Sequence, residues 1–399
     1  MFSKSSFIPI AALLALLFAG CSVFSNAEDA ASDGRSLDRD RELFVIHSLA
    51  ETISSVELAS DGSLADVQAD VQYLGAVPNH VLRFGEELVV TLSGQNELLR
   101  LDESTLRVTG RLSHGAGSNP METTSLAVDL LATTHLLAGR VQIDDPLDRS
   151  WSSPQPWTYQ VGQAPQALLS LPGSSQSQVR LLVANTSFST DSDGASPFGR
   201  GTISSMIFEV DRSGTDPRIE RISESTIDLE PSDFDPLLDS GSNPTALVDV
   251  PALSEVLVVG SGLNYGADGA GADDGVLMTL DRSNVTVKER REIGGSPGAA
   301  VLLPEGTGHR LYLGGPTGIR SIYHNGTAWA AASRMEYDAT GGGSLPLIAD
   351  IAYFSNTIYA ADFANNRILA FSVSGDGSLS LRETVEVSQG PIALLVDLE

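Results

Sequence analysis

The chain has 399 residues, and its 51 Asp and Glu outnumber its 24 Lys and Arg, which gives a formal net charge of −27 at pH 7. Nucleic-acid binding depends on clustered Lys and Arg, so this composition predicts no nucleic-acid partner, and it disfavours anionic membrane surfaces for the same reason. The single cysteine excludes an intrachain disulfide and leaves no set of thiolates for zinc.

The first twenty residues have the pattern of an export signal. Lys4 supplies a positive charge, and residues 7–18 form a short apolar stretch. This stretch is too short for a transmembrane helix, which needs about 20 apolar residues. The segment Leu17-Phe18-Ala19-Gly20-Cys21 resembles a bacterial lipoprotein lipobox, with Phe18 where leucine is more usual. The resemblance implies a signal peptide over residues 1–20, cleavage before Cys21 and acylation of Cys21.

An ordinary secretory signal with an incidental cysteine is the alternative, but an exported lone thiol has no disulfide partner, which favours lipidation. Two or three acyl chains, such as palmitate, hold a protein stably on a membrane. Residues 21–41 are rich in Ala, Ser and Asp, and they predict a flexible tether ahead of a domain over residues 42–399. Ser22 follows the cysteine directly, and a serine at this position resembles the sorting signal of outer-membrane lipoproteins. We therefore expect a location in the cell envelope, facing the periplasm or the cell surface.

A G-x-x-P pattern recurs along the rest of the chain. It occurs at residues 75–78, 117–120, 162–165, 241–244, 294–297 and 343–346, and Ser388-Gln389-Gly390-Pro391 is a seventh copy with its glycine displaced. We call these seven segments the anchors. Their prolines are 42, 45, 79, 53, 49 and 45 residues apart. A period in the forties, filled with short apolar runs and turn residues, predicts an all-β chain folded as a β-propeller.

The two ends of the chain predict how the ring closes. Residues 42–49, 52–59 and 65–74 have the pattern of three strands before the first anchor, and residues 392–399 form one apolar strand after the last. Together they make one four-stranded blade, which leaves no exposed sheet edge. Seven anchors then predict seven blades. The 79-residue interval between Pro165 and Pro244 leaves an eighth, degenerate blade as an alternative.

Two blades resemble a known family. Residues 89–102, with the sequence VVTLSGQNELLRLD, and the anchor at 117–120 are similar to a repeat of the YVTN-type β-propeller family. Residues 359–369 resemble the same repeat. The family is allied to seven-bladed lactonase-like propellers and includes binding proteins of no known activity. The resemblance therefore implies the fold strongly and the chemistry weakly.

In a propeller, the residues that follow each anchor enter the innermost strand, beside the central channel. Titratable side chains at these positions are His80, Glu122 and Asp350, and His114 comes just before an anchor. They are the candidate catalytic residues of a lactonase-like hydrolase. The alternative interpretation is that they are polar residues at a wet channel mouth, because unlinked titratable groups are weak evidence of catalysis.

Two neighbouring blades contain long loops, at residues 185–201 and 262–275. Their carboxylates are those of Asp191, Asp193, Asp268, Asp273 and Asp274. Calcium accepts six to eight oxygen ligands, so these residues are candidate metal ligands, although the EF-hand spacing fails. Simple solvated loops are the alternative. Because both loops lie on one face of a propeller, they are also expected to form a rim for a partner or ligand.

Other motifs do not assemble an active site. Gly294-Gly295-Ser296-Pro297-Gly298 fits the G-x-S-x-G string, but it lies in an interblade connector instead of a strand–turn–helix. The sequence therefore favours a non-catalytic, lipid-anchored propeller that binds an envelope protein or a small ligand and needs no cofactor. A lactonase-like hydrolase, with or without the assistance of a metal ion, is the alternative. A role in the assembly of outer-membrane proteins is a third hypothesis.

Overall fold

The computed structural model describes residues 41–126, 130–145, 157–187, 200–211, 213, 218–234, 242–262, 274–339 and 347–398. The predicted signal peptide, Cys21 and most of the predicted tether lie outside this part of the chain. Over the described ranges the chain forms strands, with single 3-10 turns at Pro251–Leu253 and Phe363–Asn365. Within these ranges, no helix has the length and apolar character needed to cross a bilayer.

The strands form seven antiparallel sheets of four strands, which we number as blades 1 to 7. Blade 1 contains β1 (Arg41–His47), β2 (Thr52–Leu58), β3 (Leu64–Tyr73) and β28 (Pro391–Leu398). Blade 2 contains β4 (Pro78–Phe84), β5 (Glu87–Leu92), β6 (Glu97–Asp102) and β7 (Val108–Ser113). Blade 3 contains β8 (Pro120–Leu126), β9 (Leu130–His135), β10 (Arg140–Asp144) and β11 (Trp157–Gln160). The predicted all-β propeller is confirmed.

The remaining blades continue in chain order. Blade 4 contains β12 (Pro165–Pro172), β13 (Gln178–Asn185), β14 (Thr202–Asp211) and β15 (Arg218–Asp228). Blade 5 contains β16 (Pro244–Val250), β17 (Glu255–Gly260), β18 (Val276–Asp281) and β19 (Val287–Glu292). Blade 6 contains β20 (Ala299–Glu305), β21 (Gly308–Gly315), β22 (Gly318–His324) and β23 (Arg334–Asp338). Blade 7 contains β24 (Ile348–Phe354), β25 (Thr357–Asp362), β26 (Arg367–Val373) and β27 (Leu379–Glu386).

The chain ends close the ring, as the sequence predicted. Blade 1 has the strand order β28-β1-β2-β3, with Phe44 opposite Leu395 and Val45 opposite Leu394. The last strand of the chain is therefore the innermost strand of the blade that the N-terminal strands complete. The described residues between Pro165 and Pro244 form one sheet, blade 4, and the seven sheets make a seven-bladed propeller.

Each anchor is a turn that starts an inner strand. Strands β4, β8, β12, β16 and β28 begin at an anchor proline, and β20 begins two residues after Pro297. The residue before the proline has a left-handed backbone, with φ of 54° at Val77, 49° at Asn119 and 50° at Ala164. Proline suits the first position of a strand because no ladder hydrogen bond is required from its nitrogen. The anchor at 343–346 lies outside the described residues.

The hydrophobic core lies between neighbouring blades. One cluster joins blades 1 and 2 and contains Phe44, Ile46, Val81, Leu88 and Val90. Similar clusters join blades 3 and 4, blades 4 and 5, and blades 6 and 7. Because every blade buries one face against each neighbour, the closed ring is needed for the core to be complete.

Two successive blade contacts repeat one hydrogen bond. Tyr312 of β21 donates its hydroxyl to the carbonyl of Gly377 in blade 7 at 2.8 Å. Tyr359 of β25 donates in the same way to the carbonyl of Gly62 in blade 1 at 2.7 Å. Both tyrosines are buried, and burial raises the pKa of each hydroxyl, so both remain donors.

Replacement of Tyr359 by phenylalanine is expected to lower the free energy of unfolding by about 1–2 kcal/mol, since the Gly62 carbonyl loses its buried donor. Tyr353→Phe is the matched control, because the Tyr353 hydroxyl bonds to Asn356 in an exposed turn. Urea unfolding of both variants measures the difference. Equal midpoints for the two variants would show that this interblade hydrogen bond contributes no net stability.

Candidate functional site

The anchors and the turns between the second and third strands of each blade lie at the same end of the channel. Inner strands run away from this end, second strands return to it, and fourth strands also return to it. We call this end the anchor face. The opposite end carries the hairpins between first and second strands and between third and fourth strands.

His80, Glu122 and Asp350 occupy equivalent positions on three inner strands. His80 and Glu122 are two residues beyond the anchor prolines Pro78 and Pro120. The hydrogen bond from the Phe363 N–H to the Leu347 carbonyl matches the one from Ser93 to Val77, which places Asp350 at the same position. We call these three residues the channel group. The corresponding residues of the other blades are all alanine: Ala167, Ala246, Ala299 and Ala393.

The two acids of the channel group make the same contact with the next blade. Asp350 accepts the backbone N–H of Leu394 at 2.8 Å and also that of Ile351 at 2.8 Å. Glu122 accepts the backbone N–H of Leu168. Leu168 and Leu394 each lie three residues beyond an anchor proline. Each carboxyl therefore links its own inner strand to the neighbouring one.

Burial dominates the acid–base properties of the channel group. Burial, opposed by the Leu168 N–H and aided by the charge of Asp350, raises the pKa of Glu122 to about 8. Burial also raises the pKa of Asp350 to about 6 and lowers that of His80 to about 4. Glu122 and Asp350 lie on the inner strands of blades 3 and 7, β8 and β24, which line the channel. Protein surrounds all three side chains, yet each keeps partial solvent exposure, as expected of residues that line a narrow channel.

At pH 7 these pKa values give a protonated Glu122, an ionised Asp350 and a neutral His80. The group thus offers one carboxylic acid, one carboxylate and one imidazole. In the described part of the chain, no three His, Cys, Asp or Glu residues are grouped so that they could hold a metal ion.

His114 lies apart from the channel group, in a buried polar chain between blades 2 and 3. Arg140 donates Nε–H to His135 Nδ1 at 3.0 Å, and His135 Nε2 lies 3.0 Å from His114 Nδ1. His114 Nε2 lies 3.3 Å from Asp144 Oδ2, within ion-pair distance but without the alignment of a hydrogen bond. The two imidazole rings stack at 4.7 Å.

This chain has one consistent assignment of protons. A guanidinium only donates, so His135 must accept at Nδ1 and carry its proton on Nε2, which makes His114 Nδ1 the next acceptor. Burial, together with the neighbouring His114 and Arg140, lowers the pKa of His135 to about 2. His135 was not among the residues predicted from the sequence. A signal was present, because His135-Leu136-Leu137-Ala138 parallels His47-Ser48-Leu49-Ala50 at the end of another second strand.

Three long connections begin and end at the anchor face of blades 4 and 5. They are residues 186–201 between β13 and β14, residues 229–243 between the two blades, and residues 261–275 between β17 and β18. We call them the rim. Four of the five candidate calcium ligands, Asp191, Asp193, Asp268 and Asp273, lie outside the described residues, and Asp274 is described next to Gly275.

Buried Glu230 ties the ends of the rim together. Its Oε1 accepts the N–H of Gly201 at 3.3 Å and of Ser242 at 2.5 Å, and its Oε2 pairs with Arg290 at 2.8 Å. The Ser242 carbonyl in turn accepts the N–H of Gly262 at 3.2 Å. One carboxylate thus connects the end of the first connection, the end of the second and the start of the third.

Glu230→Gln is expected to destabilise the protein by about 3 kcal/mol, because its NH2 group must face either Arg290 or the N–H donors of Gly201 and Ser242, and none of these can accept a hydrogen bond. Glu220→Gln on the exposed outer strand β15 is the matched control, and we expect it to stay within about 0.5 kcal/mol of wild type. Differential scanning calorimetry measures both. A Glu230→Gln variant as stable as the control would show that the rim is not held by this carboxylate.

Comparison with known proteins identifies the fold and no closer relationship. No protein-family model matches this chain. No curated protein matches it either. Among solved structures, a putative 6-phosphogluconolactonase from Bacteroides uniformis superimposes with a TM-score of 0.60 at 13% identity, over 90% of this chain and 100% of that one. A functionally unknown protein from Desulfotomaculum acetoxidans has a TM-score of 0.58 at 12% identity, over 89% and 98%.

A third similar structure is the hydrazine synthase of Kuenenia stuttgartiensis, with a TM-score of 0.53 at 13% identity, over 81% of this chain and 95% of that one. At such identities the shared feature is the fold. The class of protein defined here is thus a seven-bladed β-propeller with an extended rim at its anchor face.

Proposed function

We propose that this protein is a non-catalytic, lipid-anchored binding propeller of the cell envelope, and that its rim binds a cationic protein partner. The observation that carries the proposal is the Glu230 junction. Propeller turns need only a few residues, yet three adjacent connections here are extended, and one buried carboxylate joins their ends. Loops held on a rigid scaffold are the usual carriers of binding in such folds.

The chemistry of the partner follows from the charge of the rim. Nine acids fall within its three segments: Asp191, Asp193, Glu230, Asp233, Asp235, Asp239, Asp268, Asp273 and Asp274. Arg200 is the single Lys or Arg in the same segments. It pairs with Asp228 at 2.7 Å, so it does not offset the excess charge of the acids. A surface of this sign attracts basic partners and accelerates their association at low salt.

The binding experiment compares two matched loop replacements. Residues 188–199 of the rim are replaced by a short Gly-Ser linker in one variant, and residues 146–156, between β10 and β11 at the opposite end, in the other. Envelope proteins captured by each immobilised variant are quantified at low and high salt. We expect the rim variant alone to lose a basic, salt-sensitive partner. Equal capture by both variants would contradict the assignment of binding to the rim.

The proposed membrane attachment has its own test. Cys21→Ala is expected to abolish incorporation of a labelled palmitate analogue and to move the protein from the membrane fraction to the soluble fraction. Cysteine carries the acyl chains in the lipobox that residues 17–21 resemble. A Cys21→Ala protein that still sediments with membranes would rule out lipid at this residue as the attachment.

A lactonase-like hydrolase is the second candidate function. It is favoured by the equivalent positions of two predicted catalytic acids, Glu122 and Asp350, on inner strands that line one channel. A panel of lactones and esters tests this function, with Glu122→Gln and Asp350→Asn as the variants. Turnover that falls at least about 100-fold in both would favour the hydrolase over the binding protein.

A further inference from the structure

The turn between β22 and β23 of blade 6 contains the single Asn-Gly pair of the chain, Asn325 and Gly326. Both residues are exposed to solvent. Gly326 has a φ of 93°, a backbone conformation that favours glycine, so no Cβ shields the Asn325 side chain from the nitrogen that follows it. Attack of that backbone nitrogen on the side-chain amide would close a five-membered ring. What surrounds the reacting atoms therefore decides the chemistry of this pair.

Three donors converge on the side-chain oxygen of Asn325. Its Oδ1 accepts the Thr327 N–H at 2.9 Å, the Thr327 hydroxyl at 2.7 Å and the Ala328 N–H at 3.0 Å. Donors held at this oxygen stabilise the negative charge that develops on it when a nucleophile attacks the carbon. The turn that fixes the asparagine side chain thus also activates its amide carbon, Cγ.

His324 holds a base at the nucleophile. The Gly326 N–H donates to Nδ1 of His324 at 3.1 Å. The imidazole is buried and packs edge-on against Trp329, with the ring centroids 5.1 Å apart, so its orientation is fixed. An N–H that donates to Nδ1 requires this nitrogen to be unprotonated, which assigns the proton of the neutral ring to Nε2. The backbone nitrogen that would attack Asn325 is therefore already hydrogen-bonded to a base.

The surroundings of His324 keep its imidazole neutral. Burial lowers the pKa of His324 from 6.5. Glu255 on β17 opposes this effect, while His309 on β21 and Arg291 on β19 add to it. Since the pKa lies below 6.5, the ring is available as a proton acceptor at pH 7 and above.

We propose that Asn325 is a site of self-catalysed deamidation, with the Gly326 backbone nitrogen as nucleophile and His324 as base. Nδ1 of His324 takes the Gly326 proton as the nitrogen forms a bond to Asn325 Cγ. The bond from Cγ to the side-chain nitrogen then breaks, and ammonia leaves with the proton that His324 returns. Water opens the cyclic imide at either carbonyl, which leaves aspartate or isoaspartate at position 325.

The aspartyl product fits the same turn. Asp61 in blade 1 and Asp376 in blade 7 precede a glycine in the equivalent hairpins. Their Oδ1 atoms accept the N–H groups of Ser63 and Ser378, both at 3.0 Å, as Asn325 accepts that of Thr327. Deamidation therefore adds a negative charge at the face opposite the anchor face. The inference goes beyond the proposed function, because the rim lies at the other end of the channel.

Mass spectrometry of digests from the purified full chain, incubated in its folded state, tests the proposal. A synthetic peptide of residues 320–331 has the same local sequence without the hairpin. We expect Asn325 to deamidate at least about tenfold faster in the folded chain than in the peptide, because only the folded chain holds the base and the donors in place.

Asn284 provides a control within the same digest. Its Oδ1 accepts the N–H of Thr286 at 3.0 Å and the Thr286 hydroxyl at 2.7 Å, much as in the Asn325 turn. The residue after it is Val285, whose N–H donates to the Asp281 carbonyl and not to a base. We expect Asn284 to remain an amide while Asn325 reacts.

The pH profile and one variant identify the base. In the folded chain the rate is expected to be nearly constant from about pH 6.5 to 8, where His324 is neutral, while the peptide rate rises about tenfold per pH unit with hydroxide. His324→Asn keeps a hydrogen-bond acceptor but has no basic nitrogen, and it is expected to slow the folded chain at least about tenfold. Circular dichroism verifies that the variant is folded. A folded rate no higher than the peptide rate, a folded rate that rises with pH as the peptide rate does, or equal reaction of Asn284 would overturn the proposal without the variant.

Discussion

Deletion of residues 391–399 is expected to abolish cooperative folding of the whole propeller. The deletion removes β28, the innermost strand of blade 1, which pairs with β1 from Arg41 to His47 and packs against β4 and β24. Its loss exposes the edge of β1 and opens the core between blades 1 and 2, which contains Phe44 and Ile46. A typical domain is stable by only about 5–15 kcal/mol, and we expect the loss of a whole inner strand to exceed this margin. Thermal unfolding followed by circular dichroism measures the effect.

A synthetic peptide of residues 389–399 provides the control for this deletion. Added to the truncated chain, it is expected to restore a cooperative transition. The antiparallel pairing of β28 with β1 is non-covalent, so a separate peptide can also make it. Removal of Glu399 alone is expected to change nothing. A truncated chain that melts cooperatively within a few degrees of wild type would contradict the closure of the ring by β28.

Glu122→Gln is expected to stabilise the protein by about 2–4 kcal/mol at pH 8 and to have little effect at pH 4.5. Burial and the charge of Asp350 raise the pKa of Glu122 from 4.5 to about 8 in the folded state. The folded state therefore holds a proton that the unfolded state has released, and stability is lost as pH rises from 4.5 to 8. Partial exposure to the channel reduces the full value that the pKa shift implies.

The buried histidines act in the opposite direction. Burial lowers the pKa of His47 from 6.5 to about 4 and that of His135 to about 2. Their contribution to stability is present above pH 6.5 and is lost as pH falls toward these values. Glu122, Glu103 and Asp350 oppose them down to about pH 4.5, so the wild type is expected to be most stable between about pH 4.5 and 6.5.

Urea unfolding of wild type and Glu122→Gln across pH 4 to 9 tests this account. Glu103→Gln should show a similar but smaller gain in the free energy of unfolding. This gain should stop growing near pH 7, where the Glu103 carboxyl ionises in the folded state. A difference between Glu122→Gln and wild type that does not depend on pH would mean that Glu122 is solvated like a surface carboxyl.

Much of the fold followed from the anchors alone. A proline with a turn before it marks the start of an inner strand, and its period sets the length of a blade. Residues 65–74 and 392–399 were predicted within one residue of β3 (Leu64–Tyr73) and β28 (Pro391–Leu398). These features are local, because turn chemistry and alternation of apolar residues act between near neighbours in the chain.

The candidate sites were predictable only in part. His80, Glu122 and Asp350 were singled out because they follow anchors, but their common level depends on the register of three separate blades. Glu230 was missed, since nothing in its neighbourhood of sequence shows that Gly201 and Arg290 will meet it.

The sequence by itself determined an all-β ring of seven blades, closed by its two ends, with long acidic connections in two neighbouring blades. Only the tertiary structure decided which polar groups are buried together. His114 joins His135 and Asp144 in the contact of blades 2 and 3, apart from the channel group. The pKa values of these groups are shifted by burial and by charges on residues that are distant in the chain. Those residues lie close together only after the ring has closed.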